Sequence, residues 1–181
     1  MAGTYSPMLS LVIAHFHLLA NPDIMTKLRT ELAANPLAVT PTQLEQLPYI
    51  SGITHTNGKN ETKTYTIPPG TSISVSTLLI HTNESIFPDP WKFEPERWTN
   101  ADEATLARRR RCMLSFMRGS RACVGMHLAN AEMVVAVAAI ARWNMRLFET
   151  TDQDVAFCHD YHVLCPRLGS KGLRVKDLGR Q

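Results

Sequence analysis

Apolar and polar positions recur along this chain with two periods, and the changes from one to the other divide it into elements. Over residues 8–19, Leu11, Val12, Phe16 and Leu19 fall on or near one stripe, which predicts a helix stopped by Asn21-Pro22. Asn21 then reads as an N-cap and Pro22 as the first residue of a second helix. Its apolar positions Ile24, Met25, Leu28 and Leu32 keep the 3.6-residue period up to Asn35-Pro36. A third, short helix opens with Thr40 as N-cap, Pro41 at N1 and Gln43 at N3, a capping box ahead of Leu44 and Leu47, and Pro48 closes it. The polar run 51–61 reads as loop. Residues 62–67 and 71–79 alternate about Pro68-Pro69-Gly70, the pattern of a β-hairpin.

Residues 83–98 hold Pro88, Pro90 and Pro95 among Trp91, Phe93 and Trp98, and read as irregular but ordered chain pinned by aromatic burial. Residues 102–111 predict one or two helical turns. A helix over 127–143 is apolar on most sides and therefore predicted to be buried. The end of the chain, 145–148, 155–157, 161–164 and 173–175, reads as short strands. There are no repeats.

Composition narrows the class. With 181 residues, 44% hydrophobic content and a mean hydropathy of -0.13, the chain can bury a substantial core and has the make-up of a soluble domain, not a disordered one. The net charge of +3 comes largely from Arg108-Arg109-Arg110-Arg111 and a tail with Lys171, Arg174, Lys176 and Arg180. No aromatic interrupts the arginine run, so it reads as a solvated face, not a nucleic-acid surface. The four cysteines, Cys112, Cys123, Cys158 and Cys165, form no C-x-x-C pair, which fits a reducing compartment. A zinc site from Cys112, Cys123 and His127 matches no common zinc spacing. The apolar run 9–20 carries His15 and His17, is too short to span a bilayer, and follows no basic segment, so no membrane anchor is expected.

The stretch with the most chemistry is Phe116-Met117-Arg118-Gly119-Ser120-Arg121-Ala122-Cys123-Val124-Gly125. It sets one thiol in a glycine-bracketed loop directly ahead of the apolar helix. Backbone N–H groups and the positive end of a helix favour a thiolate. Gly119 and Gly125 can take positive φ and lack a Cβ, so the loop can lie against a flat cofactor. Arg121 offers a planar fork of donors suited to a carboxylate. A buried structural cysteine is the plainer reading of a lone Cys.

The spacing Phe-x-x-Gly-x-Arg-x-Cys-x-Gly resembles the haem-binding signature of the cytochrome P450 family, with every fixed position filled. Phe93-Glu94-Pro95-Glu96-Arg97-Trp98 looks like the family's F-x-P-E-R-F/W element, whose arginine joins an ion-pair network that locks the cysteine loop. The hairpin before residue 80 also resembles the family's, and residues 78–98 look most like members from filamentous fungi in specialised-metabolite pathways. Ala2-Gly3-Thr4-Tyr5-Ser6-Pro7 looks like the oxygen-binding groove, (A/G)-G-x-(D/E)-T, with two departures. Ser6 keeps a hydroxyl where the family has Thr, while Tyr5 replaces an acid, and a phenol is a poor proton donor at neutral pH. Pro7 near a helix start is expected to cost little. The helix carrying Glu-x-x-Arg that the family places before the hairpin is not legible, so Arg97 is expected to be exposed or repaired by Glu94 or Glu96.

The resemblance implies a mainly α fold with small β-sheets, an incomplete C-terminal part of the P450 fold forming a single region over 1–181. Within it, 1–50 would be the distal and following helices, 62–79 a β-hairpin, 83–125 the meander and haem-ligand loop, 126–143 the proximal helix and 144–181 the C-terminal strands. It implies haem b held by Cys123 as axial thiolate, Phe116 packing beside the ligand, Arg121 on a propionate, Gly119 and Gly125 in the turn, and Ser6 toward oxygen. The implied activity is a monooxygenase placing one oxygen atom in an apolar small molecule, in fungal secondary-metabolite biosynthesis. Electrons would come from NADPH through a flavin reductase, for which the arginine run is a docking candidate. The family typically sits at the endoplasmic reticulum facing the cytosol; without an anchor here, a cytoplasmic location stays open. The alternative is a truncated, catalytically inactive remnant that does not bind haem productively, argued from Tyr5, the missing Glu-x-x-Arg helix and the absent upstream half.

Overall fold

Helix α1 (Ala2–Ala20) starts six residues earlier than the apolar stripe predicts and ends where Asn21-Pro22 requires. The computed structural model describes residues 2–36, 40–47, 72, 74–161 and 164–180. The chain forms two compact units, one from Met1–Ile53 with Gly125–Gln181 and the other from Thr54–Val124.

In the first unit, Pro7 lies inside α1, past its first turn, so the proline removes one i→i−4 bond instead of sitting harmlessly at a helix start. Helix α2 (Pro22–Ala34) has Asn21 at its N-cap position, but the Asn21 side chain does not cap it. Its Nδ2 donates back to the His17 carbonyl at 2.7 Å, so the residue closes α1 instead. Helix α3 (Pro41–Glu45) carries the predicted capping box: the Gln43 N–H donates to Thr40 Oγ1 and the Thr40 N–H to Gln43 Oε1 at 3.1 Å.

Helix α6 (Met126–Ala141) packs against α1, α2 and α3. Its buried residues Val134, Val137, Ala138 and Ala141 follow i, i+3, i+4, i+7 and meet a core of Phe16, Leu18, Met25, Leu28, Leu32 and Leu44. The expectation of burial on most sides is corrected: Leu128 and Val135 are exposed, because only one stripe faces the other helices. Arg29 of α2 ties down the end of α6, donating to the carbonyls of Ala141 at 2.8 Å and Trp143 at 2.9 Å.

The strands are β1 (Trp143–Leu147), β2 (His159–Asp160), β3 (Leu164–Cys165) and β4 (Val175–Arg180). They form two antiparallel pairs, β1 with β4 and β2 with β3. The predicted strand at 155–157 is instead the end of a 3-10 turn, Asp152–Asp154, because Asp154 accepts from the Thr151 N–H at 3.0 Å and closes the chain on itself.

In the second unit the predicted loop 51–61, the first hairpin strand and its turn lie outside the described residues. Where the second strand was predicted, Thr77–His81 is helix α4, started by Ser76, whose hydroxyl accepts the Leu79 N–H. A local cap thus overrides the alternation. Helix α5 (Glu103–Cys112) is longer than the predicted one or two turns and is capped by Asp102, which accepts the Thr105 N–H at 3.0 Å. The meander before it is ordered, as expected, around fully buried Phe87, whose ring meets Trp98 at 6.1 Å. Trp91 is 69% exposed and plays no part in that anchoring.

Candidate functional site

The cysteine loop is built as a sequence of backbone clamps. The Met117 N–H donates to the Leu114 carbonyl at 2.9 Å, the Ala122 N–H to the Gly119 carbonyl at 3.1 Å, and the Cys123 N–H to the Phe116 carbonyl at 2.8 Å. The last of these closes the loop across seven residues and fixes the backbone that bears the thiol. A 3-10 turn, Gly119–Arg121, forms its far end. Gly119 sits at φ 80, the left-handed region that favours glycine. A Cβ there would meet nothing within 4 Å, so what the position demands is backbone conformation, not a small side chain. Gly125 departs from expectation: at φ -87 it is in ordinary territory and serves as the N-cap of α6.

Sequence reasoning missed two members of the loop. Met117 holds φ 60, a conformation that costs a residue with a Cβ about 1–2 kcal/mol. Arg118 reaches back from the loop to donate to the Arg110 carbonyl at 2.6 Å, tying it to the end of α5. No spacing or composition signal marks either, since a methionine does not announce positive φ and the arginine's partner is a main-chain carbonyl.

Around the thiol the surface is bare. Cys123, Val124, Met117 and Arg121 are exposed and Phe116 is half-buried. Arg121 makes no hydrogen bond or ion pair among the described residues, so its fork of donors is available to an anion. The plainer reading of Cys123 as a buried structural cysteine is therefore corrected by its exposure. Among the described residues no group of three or more His, Cys, Asp or Glu could hold a metal ion. A metal at Cys123 would have to bring its other ligands with it, as a porphyrin does. An exposed thiol on a loop that also exposes Met117 and Val124, with the unpaired Arg121 guanidinium two residues away, suits such a flat, apolar, carboxylate-bearing group.

Arg97 is 6% exposed and supplied with acceptors, so of the two outcomes expected for it, exposure or repair by a glutamate, the structure shows repair. It donates to the carbonyls of Pro88 at 3.0 Å, Asp89 at 3.1 Å, Lys92 at 3.1 Å and Glu94 at 3.3 Å. The expected repair by Glu94 is present as well, an ion pair of 3.6 Å. Asp89, at φ 49, turns the chain so that these carbonyls converge. Burial works against the guanidinium's charge and lowers its pKa, with Glu94 offsetting part of the effect. The Arg97 carbonyl in turn accepts from Arg109, and Arg108 donates to the Ser85 carbonyl at 3.4 Å. Half of the arginine run is therefore structural, not a uniformly solvated face; Arg110 and Arg111 are exposed.

A profile of the cytochrome P450 family matches residues 1–167. The chain belongs to the cytochrome P450 family. It is 37% identical over 92% of its length to the cytochrome P450 monooxygenase TRI4 of Trichoderma arundinaceum, of which it covers 36%. It is 34% identical over 99% of its length to the cytochrome P450 monooxygenase SAT11 of Stachybotrys chartarum, covering 39% of it. With the N-acetyltryptophan 6-hydroxylase ivoC of Emericella nidulans it shares 35% identity over 97% of its length, covering 39%. The chain thus spans little more than a third of these fungal P450 relatives. In fold it is similar to the crystal structure of a cytochrome P450 (CYP102L1), with a TM-score of 0.65 and 21% identity, over 95% of this chain and 42% of that one.

The loop therefore brings Phe116, Gly119, Arg121 and Cys123 into one P450-type turn within the second unit, while Gly125 caps α6 in the first. Ser6 is an exposed residue of α1, also in the first unit. Its neighbour Tyr5 places its hydroxyl 3.5 Å from Cys165 Sγ, and that contact raises the phenol's pKa, moving it further from a proton donor's range.

Proposed function

We propose that this chain supplies the proximal, haem-thiolate half of a P450 monooxygenase acting on an apolar small molecule in fungal secondary-metabolite biosynthesis. The observation that carries the reading is the exposed Cys123 thiol on a loop closed by its own N–H to the Phe116 carbonyl, with Gly119 in the left-handed turn. A bound haem would supply the dioxygen chemistry, drawing electrons from NADPH through a flavin reductase. Cys123 would hold the haem iron through its thiolate, and its main-chain bond to the Phe116 carbonyl limits how far the sulfur can drift. Arg121 holds a propionate through its unpaired fork. Phe116, half-buried in the loop, would pack beside the bound group. Ser6 carries a hydroxyl where the family motif has Thr, and Tyr5, with its raised pKa, stays protonated at neutral pH. The relatives are fungal monooxygenases and a hydroxylase, which supports this class of reaction.

The test is the absorption spectrum of the expressed, haem-supplemented chain after reduction and exposure to carbon monoxide. A thiolate-type band that disappears in Cys123→Ala bears out the assignment. Absence of haem uptake by the unaltered chain, or a band that survives in Cys123→Ala, overturns it.

A further inference from the structure

The main-chain peptide of Leu114 is held at both ends just before the cysteine loop turns. Its carbonyl accepts the Met117 N–H at 2.9 Å, the bond that keeps Met117 in its left-handed conformation. Its N–H donates at 3.0 Å to Nε2 of His81, at the end of α4 and 33 residues earlier in the chain. Between the end of α5 and Phe116 the chain is extended at Met113. The imidazole is half-buried, and burial lowers its pKa, which favours the neutral ring that can accept. With Nε2 accepting, the ring proton sits on Nδ1.

We propose that His81 is a positioning residue for Cys123: through Nε2 it holds the Leu114 peptide on which the thiol loop is built. The chain of contacts is His81 to Leu114, Leu114 to Met117, then Phe116 to Cys123. Removing the acceptor leaves a half-buried N–H unpaired on the Met113–Leu114 peptide, and the φ and ψ of Leu114, whose carbonyl lies in the next peptide, are no longer fixed from that side. Met117 then loses the bond that offsets its unfavourable φ, and the loop end relaxes toward ordinary backbone. The thiol stays on the chain, but its direction is no longer fixed. This rests on reading the loop as the haem-thiolate loop, although the decisive measurements need no haem.

The first measurement is nitrogen NMR of the full chain labelled at histidine. A neutral His81 with its proton on Nδ1 is expected; a proton on Nε2 overturns the assignment. The second compares amide hydrogen exchange in His81→Leu and His81→Gln. In His81→Leu, exchange at Leu114, Met117 and Cys123 is expected to rise about tenfold, the loss of roughly one hydrogen bond, with Val134 and Val137 of α6 unchanged. His81→Gln, whose amide oxygen can accept the same N–H, restores slow exchange. Unchanged exchange at those three amides, a rise spread evenly into α6, or no rescue by Gln each overturns the proposal. Where His81→Leu does not fold, His81→Asn, one methylene too short, takes its place with the same expected result. In haem-loaded protein, His81→Leu additionally shifts absorption of the reduced carbon-monoxide form away from the thiolate band. Exchange results as expected in a chain that takes up no haem would leave the positioning role standing and remove the monooxygenase reading; the reverse pattern would do the opposite.

Discussion

Arg97 and Glu94 form a buried-to-surface ion pair of 3.6 Å, in which the carboxylate is the lesser partner and main-chain carbonyls are the greater. The guanidinium fills a nest of oxygens that the chain from Pro88 to Glu94 cannot direct elsewhere. Together with the buried Phe87 ring, it organises the meander from within.

Replacing Arg97 should therefore cost far more than replacing Glu94. Arg97→Leu leaves several part-buried carbonyls without their donor and is expected to lower the free energy of unfolding by about 3 kcal/mol. Arg97→Lys, with a point charge in place of a fork, recovers only part of this. Glu94→Gln, at a partly exposed ion pair, should cost about 1 kcal/mol or less. Urea unfolding of the full chain ranks the three, and equal effects would contradict the carbonyl-nest account.

The two left-handed residues of the cysteine loop predict opposite outcomes. Gly119→Ala must adopt φ 80 with a Cβ and should lose about 1–2 kcal/mol of stability. Met117→Gly removes that same penalty at φ 60 and is expected to be neutral or mildly stabilising. Thermal unfolding of the two variants side by side is the check, and a destabilised Met117→Gly would mean that the Met117 side chain matters more than its backbone.

Asp154 accepts from Arg167 Nη2 at 2.8 Å and from the Thr151 N–H at 3.0 Å, and these donors hold its pKa down to about 2. Its value in the unfolded chain is about 3.9, so folding lowers it. Stability from this carboxylate is thus fully present above about pH 4 and is lost as pH falls through the interval down to about 2, where the unfolded chain takes up the proton first. Asp154→Asn should flatten the pH dependence of unfolding in that interval and leave it unchanged at neutral pH, measured by urea midpoints across pH.

The phenol of Tyr5 is pushed above its ordinary value by its hydrogen bond to Cys165 and by that thiol's charge when ionised. In Cys165→Ala the phenol should titrate near its ordinary value of about 10. Ultraviolet titration, with Tyr5→Phe subtracted to isolate this one ring, shows whether the shift disappears; a shift that persists would place its cause elsewhere.

Fold class and family were legible in the sequence because they are written in local features. The capping box at Thr40 and Gln43, the proline at the start of α2 and the one-sided stripe of α2 act within a few residues, and the structure reproduces each. The cysteine signature belongs to the same kind, since its glycine and arginine positions are fixed by a single turn. Alternation misled at Thr77–Leu79 because a helix cap at Ser76 is as local as a strand pattern and won. Asn21 misled because one side chain can serve either neighbouring helix: its amide donates back to the His17 carbonyl of α1, and its oxygen does not accept an N–H of α2.

The sequence by itself determined the family and singled out the candidate residues: Cys123 on its glycine-bracketed loop, and Arg97 within Pro-Glu-Arg. Only the tertiary structure decided how they are held. Arg97 is buried because carbonyls brought together by a left-handed Asp89 replace the expected side-chain partners, and main-chain acceptors have no sequence signature. Met117, Arg118 and His81 entered the site for the same reason, each joined to backbone whose position is fixed by folding and not by residue type.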